Sequence, residues 1–274
     1  MGASLLLRAL LKRPHARGPA PTASLSSTFM AAAPDRAEIE RYNAALGFAP
    51  ASTPLTYYYL AVQRAHLVTM LAPAFPYRIA GMVHVENALV LHGTPPGGQL
   101  LGPIRLSTRI AILPPTGLGA VYCALETEGR CGEVTVFTCT SKYLAVRGKR
   151  RGGAAPAPTE PGAAIAEWTL PRSAGRAYAR VSGDWNPIHL ARWTARLMGL
   201  REPIIHGMHS VGKAAAQLEQ VTGQRGQRVT AISVRFRAPV PLGASVVLAQ
   251  GTEPDTWALY CGGVLAAEGS FRLA

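Results

Sequence analysis

Asp184 and His189 stand five residues apart in the stretch from Tyr178 to Met208, YARVSGDWNPIHLARWTARLMGLREPIIHGM, with Asn186 and Pro187 between them. His206-Gly207 follows just ahead of another apolar periodic segment. A carboxylate and an imidazole can move protons on and off a bound water, and a backbone N–H can hold developing negative charge. Pro187 cannot continue a helix from its left, and Gly183 takes backbone angles closed to other residues, so Ser182 to Pro187 reads as a tight, rigid turn. Such a turn aims two side chains at one point. Alone, an aspartate and a histidine five apart are more often a turn hydrogen bond than a catalytic pair, so the surrounding residues must decide.

Those side chains need elements to carry them. Periodicity predicts a helical piece over Ser173 to Ser182 that runs into the turn, and a second over His209 to Val221. Alternating runs then predict strands Val229 to Ala238, Ala244 to Gly251, Thr256 to Tyr260 and Val264 to Leu273. The first half repeats this order. A helix from Asp35 to Gly47 precedes a second, largely apolar one from Thr56 to Leu71, and strands follow over Met82 to Leu91, Ile104 to Leu113, Gly119 to Glu126 and Glu133 to Val146. Turn signals such as Gly93-Thr94-Pro95-Pro96 separate them. Even the motif has a faint copy, since Tyr42 and Gly47 are spaced like Tyr178 and Gly183, but Phe48 and Thr56 stand where Asp184 and His189 would be. The first copy therefore reads as chemically silent. Each central helix is too apolar to stay in water, so two sheets, each wrapped around one helix, are implied.

Residues 1–34 carry Arg8, Lys12, Arg13 and Arg17 and no acidic residue, and read as a basic extension: a short amphipathic helix, Ala3 to Lys12, then a Pro/Gly link. A mitochondrial transit peptide has the same composition, so organellar import stands as the alternative to a cytoplasmic location. Residues 147–165 lose all periodicity and read as a linker with a basic cluster of Arg147, Lys149, Arg150 and Arg151. The expected organisation is thus the extension, a silent domain over 35–146, the linker, and a catalytic domain over 166–274.

With 274 residues and 48% hydrophobic content the chain can fill a core, and no apolar run reaches the roughly 20 residues of a spanning helix. The formal charge of +13 rests mainly on scattered arginines and suits polyanions, coenzyme A and acidic acyl carrier protein among them. No zinc-finger spacing or lysine tract supports nucleic acid. Cys123, Cys131, Cys139 and Cys261 form no C-x-x-C pair and read as ordinary thiols in strands of a protein from a reducing compartment.

The pattern Y-x-x-x-S-G-D-x-N-P-[ILV]-H, complete at Tyr178, Ser182, Gly183, Asp184, Asn186, Pro187, Ile188 and His189, resembles the MaoC-like, or hydratase 2, group of (R)-specific enoyl-thioester hydratases and dehydratases. The resemblance implies an α+β double hotdog fold, with Asp184 and His189 as the catalytic pair, Asn186 orienting the histidine, and Gly207, eighteen residues after His189, supplying an oxyanion-hole N–H. It implies acyl-CoA or acyl carrier protein thioesters as substrate and no cofactor beyond that carrier. His206 and His209 invite a metal reading with Asp184 and His189, but the resemblance implies no metal. Ser182, His206, Arg235 and Arg237 are the remaining candidates for substrate contact. For Ser182 a cap on the turn is the preferred role, for His206 packing or orienting the site, and for the arginines the choice lies between coenzyme phosphates and a plain solvent face. A hotdog thioesterase, a non-catalytic thioester-binding subunit and, more remotely, a nucleic-acid-binding protein are the competing readings. Two hotdogs in one chain already mimic a dimer, so monomer and homodimer are both compatible.

Overall fold

A computed structural model describes residues 2–13, 24–50, 52–93, 102–148, 162–221 and 226–274. The expected Pro/Gly link, the turn at 94–96 and the cluster of Lys149, Arg150 and Arg151 lie outside the described residues. In the first half the elements are α1 (Gly2–Leu11), β1 (Leu25–Ala31), α2 (Arg36–Leu46), α3 (Tyr59–Leu71), β2 (Val83–Leu91), β3 (Ile104–Ile112), β4 (Val121–Cys131) and β5 (Val134–Val146). In the second they are β6 (Ala164–Thr169), α4 (Ala174–Ser182), α5 (Arg192–Leu197), α6 (Gly207–Val221), β7 (Val229–Phe236), β8 (Ser245–Gln250), β9 (Thr256–Cys261) and β10 (Val264–Leu273). The elements group into two compact units: Met1–Pro34 with Tyr59–Ala155, and Asp35–Tyr58 with Pro156–Ala274.

In the first unit the strands pair antiparallel in the order β1-β3-β4-β5-β2, and α3 packs against β1 and β3. β3 alternates cleanly, burying Ile104, Leu106, Thr108 and Ile110 and exposing Arg105, Ser107 and Arg109, as a half-buried strand must. Residues 25–31 carry no strand expectation in the sequence, yet they form β1, in register with β3 from Leu25↔Ile110 to Ala31↔Ile104. Lys12 closes the far end of α3. Its ammonium donates to the carbonyls of Met70, Ala72 and Phe75 at 2.5–2.9 Å and lies 4.9 Å from the centre of the Phe75 ring. A cation at a helix C-terminus meets the negative end of the dipole and its unpaired carbonyls, so the basic extension is anchored to the end of α3.

The second unit repeats the topology. Its strands run β6-β8-β9-β10-β7, the same order element for element, with α6 packed on β7 and β6. Each unit thus has its own run of antiparallel strands and its own central helix, the repeated α+β hotdog arrangement that the sequence implied. This unit also gathers Asp35–Tyr58 from the first half. Tyr42 is fully buried and donates to Thr56 Oγ1 at 3.0 Å. Gly212 of α6 admits this segment closely, since a Cβ there would lie 2.7 Å from Leu46 and 3.0 Å from the Tyr42 hydroxyl. All four cysteines are free, Cys123 and Cys139 buried in their strands. Among the described residues no helix is long and apolar enough to cross a membrane.

Candidate active site

The motif turn is built by short-range hydrogen bonds that its residue types dictate. α4 ends at Gly183, whose φ of 76° is the left-handed conformation that favours glycine, and the Gly183 N–H closes on the Ala179 carbonyl. Ser182 is buried; its hydroxyl donates to the Tyr178 carbonyl at 2.8 Å and accepts from the Asp184 N–H at 3.2 Å. Both of its roles are thus spent inside the turn. Asp184 Oδ1 accepts from the Asn186 N–H at 3.1 Å, and Asn186 Oδ1 caps the single 3-10 turn Pro187–His189 by accepting from the Ile188 N–H at 3.4 Å. Gly175, in the first turn of α4, sits so close beneath this turn that a Cβ would come within 1.9 Å of the His189 carbonyl oxygen.

His189 is buried, and its Nδ1–H donates to the Ile204 carbonyl at 2.8 Å. Desolvation, reinforced by His206, drives its pKa well below the usual imidazole range, outweighing the opposite pull of Asp184. The ring is therefore neutral near pH 7. With the proton on Nδ1, Nε2 keeps a free lone pair. His206 is the complement: its Nε2–H donates to the Asp184 carbonyl at 2.9 Å, its ring stacks on that of His189 with centroids 3.6 Å apart, and its buried Nδ1 has no hydrogen-bond partner among the described residues. Tyr178 backs His206 and His209, its ring centroid 4.9 Å from that of His206 and 5.4 Å from that of His209. Side-chain donor atoms of Asp184, His189 and His206 all fall within 4.8 Å of one another, with Asp184 half-exposed and the histidines buried. The arrangement joins a carboxylate open to solvent with a neutral base in a dry wall.

Gly207 is the first residue of α6, so its N–H has no acceptor within the helix and lies at the positive end of the dipole. Its missing side chain also has a packing reason, because a Cβ would sit 2.8 Å from the Phe236 ring. The structure thus gathers Asp184, His189 and His206 directly, with Gly207 next in the chain to His206. Arg235 and Arg237 flank Phe236 and are exposed; Arg237 donates from Nε to Glu268 Oε1 at 2.8 Å, and Glu268 is the register partner of Arg235 across β10. Their neighbour Phe236 faces Gly207, and successive side chains of a strand alternate faces, so the arginines point to the outer side of the sheet. Sequence reasoning gave the imidazole to Asn186, whereas its tautomer is fixed by the carbonyl of Ile204. A backbone acceptor carries no residue-type signal that could have revealed it.

Burial of neutral histidines makes folding sensitive to acid. His66, on α3, and His209, on α6, are held at about 3 and about 4, in each case chiefly by desolvation. His189 is depressed in the same direction. An unfolded chain protonates these rings near pH 6.5, so between that value and the folded one the unfolded state binds more protons. Stability is complete above about pH 6.5 and is lost as pH falls, by about 1.4 kcal/mol per pH unit for each such histidine. Urea midpoints should drop steadily from pH 7 to pH 5; a constant midpoint would contradict neutral burial.

Residues 154–251 match the family described as MaoC like domain. Over 179 residues, 61% of the chain, the sequence is 30% identical to the peroxisomal multifunctional enzyme type 2 of Mus musculus, and over 175 residues, 59% of the chain, it is 29% identical to the 3-hydroxyacyl-thioester dehydratase Y of Mycobacterium tuberculosis. The chain spans 24% and 58% of those relatives' own lengths. The crystal structure of HtdX from Mycobacterium tuberculosis superposes with a TM-score of 0.71 at 23% identity, covering 90% of this chain and 99% of that one, which bears on the fold.

Proposed function

We propose that this chain, whose residues 154–251 are a MaoC-like domain, catalyses the (R)-specific hydration of trans-2-enoyl thioesters, or the reverse dehydration of 3-hydroxyacyl thioesters. The observation that carries the reading is the neutral His189 with its Nε2 lone pair free beside the Asp184 carboxylate. Water held by Asp184 gives a proton to His189 Nε2, and its oxygen bonds to the β-carbon of the substrate. The π electrons move onto the thioester carbonyl oxygen, where the Gly207 N–H stabilises the enolate charge. The enolate then collapses and the α-carbon takes a proton back from the same Asp184-His189 pair, on the face from which water came. Addition is therefore syn. His206 serves as a positioning residue, since it holds the Asp184 carbonyl and the His189 ring at once. No metal and no cofactor enters this scheme.

The test mixes the purified chain with but-2-enoyl and longer trans-2-enoyl thioesters and follows loss of the conjugated absorbance, with chiral analysis of the product. An (R)-3-hydroxyacyl thioester is expected. Release of free thiol and 2-enoic acid would assign a hydrolase instead, and binding without turnover would leave only a thioester-binding subunit.

A further inference from the structure

The segment between His189 and Gly207 displays a surface that the chemistry does not use. Thr194 on α5 donates its hydroxyl to the Pro187 carbonyl at 2.6 Å and Ala195 is wholly buried, so one side of this short helix is fixed to the turn that carries His189. Its other side points outward. Trp193 is 68% exposed and Leu197, one turn on, 78% exposed, with Met198 half-exposed just beyond and Trp185, next to Asp184, also open. Four large apolar side chains exposed within fourteen residues are unusual on a surface otherwise free to choose polar ones. Beside them runs a groove lined by Arg192, Arg196 and Arg201 with Glu202. Glu202 pairs with Arg192, while Arg196 and Arg201 make no ion pair among the described residues.

We infer that this apolar ridge with its basic flank is the docking surface for an acidic acyl carrier protein, which would present the enoyl thioester to Asp184 and His189. The inference rests on the catalytic reading for what the carrier brings, and on the surface alone for where it binds. Charge decides the occupant. A second copy of this chain would bring another +13, opposing self-association at a basic patch, whereas an acidic helix with an apolar face matches both halves of the surface. The phosphates of coenzyme A would satisfy the arginines but leave Leu197 and Met198 in water.

The experiment uses the full chain, Arg196→Glu and Leu197→Ser singly and together, and a purified, fluorescently labelled acidic holo-acyl carrier protein. Both positions are exposed, so the variants should fold. Anisotropy should show salt-sensitive binding to the parent and about tenfold weaker binding to the double variant. For but-2-enoyl turnover, kcat/KM should fall by a similar factor on the carrier-bound substrate and stay within about twofold on the coenzyme A and bare pantetheine thioesters. Absent binding, or binding unmoved by both substitutions, overturns the inference. So does an equal loss on the coenzyme A thioester, which would assign the arginines to nucleotide phosphates, or a parent dimer that the variants dissociate. A parent inert on both the carrier-bound and the pantetheine thioester sinks the catalytic reading instead, and the anisotropy arm still decides docking.

Discussion

His189→Ala should lower turnover of an enoyl thioester by about a thousandfold, and Asp184→Asn by a comparable factor, because positioned acid-base groups typically contribute a hundredfold to ten-thousandfold. The two side chains share one water, so the double variant should lose little more than either single one. Burial makes the comparison interpretable. His189 meets the Ile204 carbonyl through Nδ1 and the water through Nε2, so His189→Gln keeps some packing but cannot both donate on one side and accept on the other with a ring's geometry. If the three single variants retain parental circular dichroism and urea midpoints within about 1 kcal/mol while turnover collapses, the loss is chemical. Retention of more than about a tenth of the activity by His189→Ala would remove the imidazole from the mechanism.

Gly207→Ala is expected to cut kcat by about a hundredfold, from steric displacement rather than loss of a functional group. The added Cβ would lie 2.8 Å from the Phe236 ring, nearer than carbon atoms approach, so either the ring or the head of α6 must move. A shift of the helix head turns the Gly207 N–H away from the position of the enolate oxygen, and one such donor is worth about a hundredfold to a thousandfold. Pairing it with Phe236→Leu provides the discriminating measurement. The smaller side chain relieves the clash, so the double variant should regain much of the kcat that Gly207→Ala lost, with KM nearly unchanged throughout. If Phe236→Leu restores stability but no activity, the first N–H of α6 is not the oxyanion donor.

Much of this site could be read from residue types because its turn is local. Ser182, Gly183, Asp184 and Asn186 form hydrogen bonds across two to four residues, and such bonds leave a pattern in the sequence. The long-range half left none. Ile204 acts through a carbonyl that every residue possesses, and His206 reaches back 22 residues to the Asp184 carbonyl. The strands were legible where alternation is strong, as in β3, and illegible in β1, whose LSSTFMA sets its three large apolar residues, Leu25, Phe29 and Met30, out of strict alternation. Its strand character comes from seven register partners on β3. Helix α5 is six residues long with no side-chain cap at Ala191, too short for periodicity to register and outward-facing where an amphipathic pattern would look for a core. The grouping of Asp35–Tyr58 with the C-terminal residues goes with the packing of α2 on α4 and α6, a tertiary choice that composition does not encode.

The like-ordered halves give the chain an internal control of the kind usually sought among separate genes. Tyr42 and Gly47 persist as Tyr178 and Gly183; both tyrosines are buried, and both glycines end their helices in the left-handed conformation with the N–H closed on a carbonyl four residues back. That is what the architecture requires of any copy. At the positions of Asp184 and His189 the other half holds Phe48 and Thr56, and Thr56 has become the anchor of the Tyr42 hydroxyl. On the proposed hydratase function, a division of labour between the halves follows: one carries the residues of the reaction, and the other is held only to what burial requires. Residues shared by both halves report on folding, and residues found in one alone report on chemistry or on the partners that chemistry needs.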